Sequence, residues 1–278
     1  DGIGEIAKVH VHMEDPGKAL SAGLEYGTLS NIEITNMDNQ TADWASDRRN
    51  HDENSEAMTS NIAVVAVAAG DGLKTLMKSA GLGVTSIVDG GDTMNSSVAD
   101  LLTAVETAPS NHVILLPNNK NIVPAAQQVS ALTDKTVRVV PTCSVQTGIA
   151  ALVALRLDQN IDENAEAMNE VMSEVGEGRI CKATKNVTIN QHEIHKGMTF
   201  GTFNDNIITV DQDPLIVLTE LIKTQSDQAE IVTVYTGEMV DSEQIEETTK
   251  ILINQFDTID IEVVYGGQPH YDYLIAVE

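Results

Sequence analysis

The sequence predicts a two-lobed α/β protein, with a parallel, doubly wound sheet in the first lobe and a mixed α/β second lobe. Three observations carry this reading. Between residues 61 and 157, a short apolar run followed by a loop and a helix-period stretch occurs four times, the signature of repeated strand-loop-helix units. The runs 62–69 (IAVVAVAA) and 112–116 (HVILL) show no alternating polar face, as expected of strands buried on both sides. Past residue 159 the style changes to short strands separated by turn residues, then one β-α-β unit.

Taken in order, residues 6–13 alternate and place His10 and His12 on one face of a strand. Asp15 and Pro16 stand as N-cap and first residue of a helix that reaches Tyr26 and ends at Gly27. Residues 29–37 return as a strand. A β-α-β unit of this size cannot fold alone, so residues 1–37 are expected to end a domain that begins upstream, in a longer protein. Residues 38–60 are polar and aperiodic apart from Trp44 and read as a linker.

The lobe at 61–158 follows. Its strand 62–69 leads to a helix at 73–80, and Ile87 and Val88 form a second strand feeding the loop 89–97 (DGGDTMNSS). Ser96 or Ser97 is placed to cap a helix carrying Val98, Leu101, Leu102 and Val105. Next come strand 112–116, helix 122–132 with Pro124 in its first turn, strand 136–140, loop 141–148 (PTCSVQTG) and helix 149–157. In the lobe at 159–278 the pattern predicts an acidic helix at 164–175 and strands at 179–183, 187–189, 194–203 and 206–210. A helix at 215–223, strand 231–235, helix 242–256 and strand 261–265 come next. The glycine-rich loop 266–273 and a last strand at 274–277 close the chain.

Composition narrows the function classes. A formal net charge of −26 repels phosphate backbones and anionic lipid surfaces, so neither nucleic acid nor membrane is an expected partner; a basic protein surface is attracted. No apolar window is long enough to span a bilayer. Cys143 and Cys181 stand far apart without a CxxC pair, which fits reduced thiols in a cytoplasmic protein. No secretory signal is read.

The chemistry-bearing residues are few. Gly70 and Gly72 follow a strand but lack the third glycine of a dinucleotide fingerprint, and no P-loop, HExxH or GxSxG occurs. A self-contained enzyme is therefore the least supported class. His10 and His12 leave one strand face about 7 Å apart; zinc needs three or four ligands, and such a pair alone is more often structural. His192 and His195 read as exposed turn residues, and Cys143 as an inert thiol. His270 sits in the glycine-rich loop, where backbone can approach a ligand. The loop 89–97 lies between a strand end and a helix start, the usual ligand position of open α/β sheets, and a helix N-terminus favours an anion. A capped turn without a ligand is the more frequent result of the same spacing.

The residues 8–17 (KVHVHMEDPG), Tyr26, Gly27 and 31–37 (NIEITNM) resemble the end of the middle domain in the catalytic subunit of the bacterial two-component fatty acid kinase, a dihydroxyacetone-kinase-like family. The resemblance continues through 89–95 (DGGDTMN) and 144–148 (SVQTG) to the C-terminus. It implies an N-terminal domain, outside this chain, that binds ATP and magnesium and transfers the phosphoryl group. The chain itself is then expected to be inactive alone. In that family the HxH pair belongs to a zinc site completed by an upstream cysteine, and His10 and His12 match the pair.

Residues 61–278 also resemble the DegV-like fatty-acid-binding proteins that partner this kinase. Their acyl-carboxylate loop reads T-S-Q-P-S before a helix. Thr93, Asn95 and Ser97 stand in the matching stretch, with Asn95 and Ser96 in place of the glutamine and proline. Their C-terminal G-x-H loop is matched by 267–270 (GQPH), one residue longer, which singles out His270. The resemblance implies a module that docks the acyl-loaded partner and presents its carboxylate to the kinase domain. A fatty acid or other carboxylate bound by the module itself is the alternative, and a homodimer held through the middle domain is a third role.

Overall fold

The computed structural model describes residues 16–28, 62–79, 81–91, 94–156, 158–189, 192–227 and 229–278. Residues 1–58 and 59–278 form two separate compact units. In the first, helix α1 (Pro16–Tyr26) begins at the proline and stops before Gly27, as predicted. The strands expected at 6–13 and 29–37, with His10 and His12, and the linker at 38–60 lie outside the described residues.

The second unit opens with β1 (Ile62–Ala68), α2 (Asp71–Lys78), β2 (Ser86–Asp89), α3 (Val98–Thr107), β3 (His112–Leu116), α4 (Val123–Val129), β4 (Thr136–Val139), α5 (Val145–Val153) and α6 (Ile161–Glu174). The four strands form one parallel sheet in the order β2-β1-β3-β4. Every residue of β1 is buried, as its unbroken apolar run requires. Ile62, Val64 and Ala66 face one core with Leu73 and Met77 of α2, Ile149 of α5 and Met168 of α6. Ala63, Val65 and Val67 face the other, with Leu101 of α3 and Val129 of α4. The sheet is doubly wound.

Two differences from the sequence reading bear on how the lobes meet. Helix α5 begins at Val145, inside the predicted loop. The Ser144 side chain accepts from the Thr147 N–H and the Thr147 hydroxyl from the Ser144 N–H, so residues 145–147 are the first turn of a capped helix. Helix α6 packs on α5, β3 and β4, so the packing of the first sheet runs past residue 158, where the sequence changes style.

The chain then forms β5 (Gly176–Lys182), the hairpin β6 (Val187–Ile189) and β7 (His192–Ile194), β8 (Thr199–Phe203), β9 (Asn206–Asp211), α7 (Pro214–Gln225), β10 (Ile231–Gly237), α8 (Ser242–Gln255), β11 (Asp260–Gln268) and β12 (Tyr271–Val277). Six strands make a mixed sheet in the order β11-β10-β12-β5-β8-β9, with β6 and β7 paired apart from it. The single strand predicted over 194–203 is broken between β7 and β8. Gly197 adopts a left-handed φ of 90° there and the Met198 N–H returns to the His195 carbonyl.

The glycine-rich stretch predicted as a loop is largely strand. β11 runs to Gln268, only Pro269 and His270 turn, and β12 starts at Tyr271. The turn carries the chain around the end of β10, which pairs with β11 in parallel and with β12 antiparallel. Helices α7 and α8 cover one face of this sheet through Leu218, Leu221, Ile222 and Leu252. On the opposite face Tyr235, Leu274 and Ala276 join the cluster that holds Ile62, Val64 and Leu152. The two lobes share one core.

Candidate functional site

In the order β2-β1-β3-β4 the chain reverses direction between β1 and β3, and ligands of open α/β sheets sit outside the carboxyl ends of strands at such a switch. Here that place is held by Asn118, which is buried and has a left-handed φ of 52°. Its Nδ2 donates to the Val67 carbonyl of β1 at 2.8 Å, and its Oδ1 accepts from the Thr142 hydroxyl at 2.7 Å. Gly148 of α5 makes room for it, since a Cβ there would collide with the Asn118 amide. Gln146, earlier on α5, is also buried and donates to the Gly178 carbonyl of β5 at 3.0 Å. The stretch 144–148 thus ties the lobes together.

The predicted carboxylate loop lies after the neighbouring strand β2. Its first residue, Asp89, accepts from Lys74 at 2.8 Å and from the Gly91 N–H at 3.0 Å, and these bonds, the lysine's first, hold its carboxyl below the usual range. Met94 takes a left-handed φ of 45°, and its carbonyl accepts from Asn119 at 3.1 Å, which fastens the loop to the β3–α4 connection. Asn95 and Ser97 are exposed, and Thr93 lies outside the described residues.

Ser97 is the N-cap of α3 and its hydroxyl is engaged. It accepts from the Asp100 N–H at 3.2 Å and donates to the Asp100 carboxylate at 2.6 Å, while the Ser97 N–H donates to the same carboxylate at 3.0 Å. The helix N-terminus therefore already carries a carboxylate of its own, the group it would otherwise offer its dipole to. The hydroxyl bond, then the backbone bond, hold the Asp100 carboxyl below its ordinary range. Ser97→Ala is expected to cost the unit about 1 kcal/mol through loss of the cap, read as a shift of the urea midpoint.

His270 is exposed at the β11–β12 turn, with a left-handed φ of 68°. The preceding backbone, 266–268, lies against the β1–α2 turn, because a Cβ on Gly70 would stand 2.5 Å from the Gly266 oxygen and 2.6 Å from the Gln268 nitrogen. The structure thus brings the His270 turn and the loop of Asn95 and Ser97 to the carboxyl end of the parallel sheet. It does not bury the three side chains in a common pocket.

One residue of this loop entered the sequence reading as an alternative cap and as the replacement of the loop's proline, not as a ligand group. Ser96 is 8% exposed and its Oγ is buried without a hydrogen-bond partner, a hydroxyl that a polar ligand atom could engage. A second group bridges the lobes nearby. Lys120, after β3, pairs with Asp205 at 3.3 Å, and Arg179 of β5 pairs with Asp205 at 3.0 Å and Glu177 at 2.7 Å. Long-range pairing of this kind leaves no trace in local spacing.

Neither cysteine is activated. Burial, then the charge of Glu177, raises the exposed Cys143 thiol, and burial, then Asp272, pushes Cys181 up to about 11. Among the described residues no group of three histidine, cysteine or acidic side chains is arranged for a metal ion, and no helix is long and apolar enough to cross a membrane. His10 and His12 lie outside that description.

Comparison with known proteins fits this architecture. A protein of Staphylococcus haemolyticus, described as uncharacterized, is 34% identical over 99% of this chain, and the chain spans 50% of that relative's length. The DegV family protein Cg2579 of Corynebacterium glutamicum superposes with a TM-score of 0.55 at 14% identity, over 78% of this chain and 96% of that one. The Streptococcus pneumoniae fatty acid kinase B3 protein, solved with linoleic acid, gives 0.55 at 8% identity over 78% and 99%. At these identities the structural likeness establishes the fold, which is DegV-like. Residues 63–278 match the C-terminal domain of the FakA-like fatty acid kinase family, and residues 2–44 match the middle domain of the same family. The shared core, the two sheets and the family match agree: this chain belongs to the FakA-like fatty acid kinase family and carries its C-terminal domain with part of the middle domain.

Proposed function

We propose that the chain is a docking module. It seats a DegV-type acyl-binding protein so that the fatty acid carboxylate can receive a phosphoryl group from an ATP- and magnesium-binding domain outside these residues. The observation that carries this reading is that the chain's own groups occupy places where an open α/β sheet can take a ligand. Asn118 occupies the switch point, the Asp100 carboxylate occupies the α3 N-terminus, and Tyr235, Leu274 and Ala276 pack directly into the core of the parallel sheet. A DegV-like fold whose two sheets pack on one shared core is suited to holding a carrier, and positioning alone can supply much of a phosphoryl-transfer rate. The net charge of −26 steers a partner with a basic face.

The unpartnered Ser96 hydroxyl favours a second reading, a carboxylate ligand held among Thr93, Asn95, Ser97 and His270. One experiment separates the two. In calorimetric titration with the acyl-binding protein of the same organism, lipid-free and lipid-loaded, the docking reading expects micromolar or tighter binding that weakens with salt. No complex with either form, together with extraction of fatty acid by the chain itself, assigns the chain to the ligand-binding class.

A further inference from the structure

Helices α7 and α8 lie on the outer face of the six-stranded sheet, and a groove of about 300 Å³ opens between them. Leu215, Ile216 and Thr219 of α7 and Ile251 and Gln255 of α8 line it, with Asp213 and Glu220 bracketing the α7 wall. Helix α7 needs only its stripe of Val217, Leu218, Leu221 and Ile222 to reach the sheet. Ile216 lies off that stripe and is 48% exposed, an apolar residue that the fold itself does not use.

The charge of the two helices is acidic on balance. The groove's charged lining residues are both acidic, and α8 adds Glu243, Glu246 and Glu247. Each helix also carries one lysine, Lys223 paired with Glu220 at 3.3 Å and Lys250 with Glu246 at 3.6 Å, and Asp213, Glu243 and Glu247 leave the balance negative. An aliphatic floor with an acidic rim disfavours a fatty acid, whose carboxylate would meet Asp213 or Glu220. It also repels nucleic acid and anionic membranes. It suits an amphipathic helix whose apolar residues recur at i, i+3 or i+4 and whose flanks are basic. The lining stretch of α7 is about 10 Å long at a helical rise of 1.5 Å per residue, room for two such anchors.

From these features we infer that the α7–α8 groove is the seat for a basic amphipathic helix of the acyl-binding partner protein. This rests on the docking reading and gives it a location, on the face of the sheet opposite the shared core.

The test titrates the whole chain with the lipid-loaded acyl-binding protein of the same organism. Ile216→Asp, the milder Ile216→Ser and Glu220→Lys are compared with Glu170→Lys at an exposed position of α6. Folding is checked by circular dichroism, and the paired Ile216 variants keep a folding defect in one from deciding the result. The groove variants are expected to raise Kd about tenfold or more, and Glu170→Lys less than about twofold. Equal affinity for all variants overturns the groove and leaves docking standing. Equal weakening by Glu170→Lys and Glu220→Lys overturns it in favour of diffuse attraction. No complex with the unaltered chain overturns the docking reading, and the groove with it. A concentration-dependent dimer that Ile216→Asp dissolves, with partner binding unchanged, reassigns the groove to a second copy of this chain.

Discussion

Gly70→Ala is expected to destabilise the unit of residues 59–278 by roughly 3 kcal/mol or more, read as a fall in the urea midpoint. Two effects add. The φ of 96° at Gly70 lies where side-chain-bearing residues are strained. The new Cβ would also meet backbone rather than a movable side chain: the Gly266 oxygen at 2.5 Å, the Gln268 nitrogen at 2.6 Å and the Gly267 carbonyl carbon at 2.7 Å. That backbone is held at both ends, because Tyr265 pairs with Thr236 and Gln268 with Gly237 of β10, with Gly266 and Gly267 in the irregularity between them. Gly81→Ala is the matched control. Its Cβ would meet only the Ser79 hydroxyl at 3.9 Å, and a change within about 0.5 kcal/mol is expected. Equal midpoints for the two variants would show that the close approach does not hold the lobes together.

Asn118→Ala is expected to cost about 2–4 kcal/mol. The change removes the side-chain amide that donates to the Val67 carbonyl at 2.8 Å and accepts from the Thr142 hydroxyl at 2.7 Å, leaving that hydroxyl only the Asn118 N–H at 3.0 Å. Thr142 is fully buried, so water does not readily replace the lost partner, and a buried unsatisfied group is penalised more than an absent one. Alanine also tolerates the φ of 52° less well than asparagine. Asn118→Gly relieves the backbone but not the lost bonds, so it should recover only about 1 kcal/mol of the deficit. Thermal unfolding of the three proteins checks the order: unaltered, glycine, alanine. An alanine variant as stable as the unaltered chain would mean that the amide is not what seals the switch point.

How much of this was legible in the sequence depended on how local the cause was. β1 and β3 were readable because an apolar run without alternation has few other homes than a doubly covered parallel sheet. Ser97 was readable as a cap because its partner, Asp100, lies three residues away. The start of α5 was missed because its capping box uses Thr147, where Glu or Gln is the familiar signal. The glycine-rich tail was misread for a non-local reason. Gly266 and Gly267 resemble loop glycines, but the stretch runs on as strand to Gln268 and packs on the β1–α2 turn about 200 positions earlier in the chain. Asn118 carried no sequence signal at all, since its meaning depends on Val67 and Thr142 arriving from other parts of the chain. The resemblance to a carboxylate loop pointed to the turn before α3, but what that turn does depends on Asp100, Ser96 and the packing beneath.

The position of β12 has a consequence for how the chain is made. β12 sits between β10 and β5, so it joins the β-α-β half of the six-stranded sheet to its antiparallel half. Of the six strands it is the last in chain order, and so the last to leave the ribosome. Until residues 271–277 emerge, β10–β11 and β5–β8–β9 are two strips with no shared hydrogen bonds, each showing an unpaired edge to whatever is near. The parallel sheet can form much earlier, but the face that Leu274 and Ala276 complete stays partly open. The six-stranded sheet therefore forms with a closing step, and a nascent chain stopped short of that strand is a natural client for chaperones.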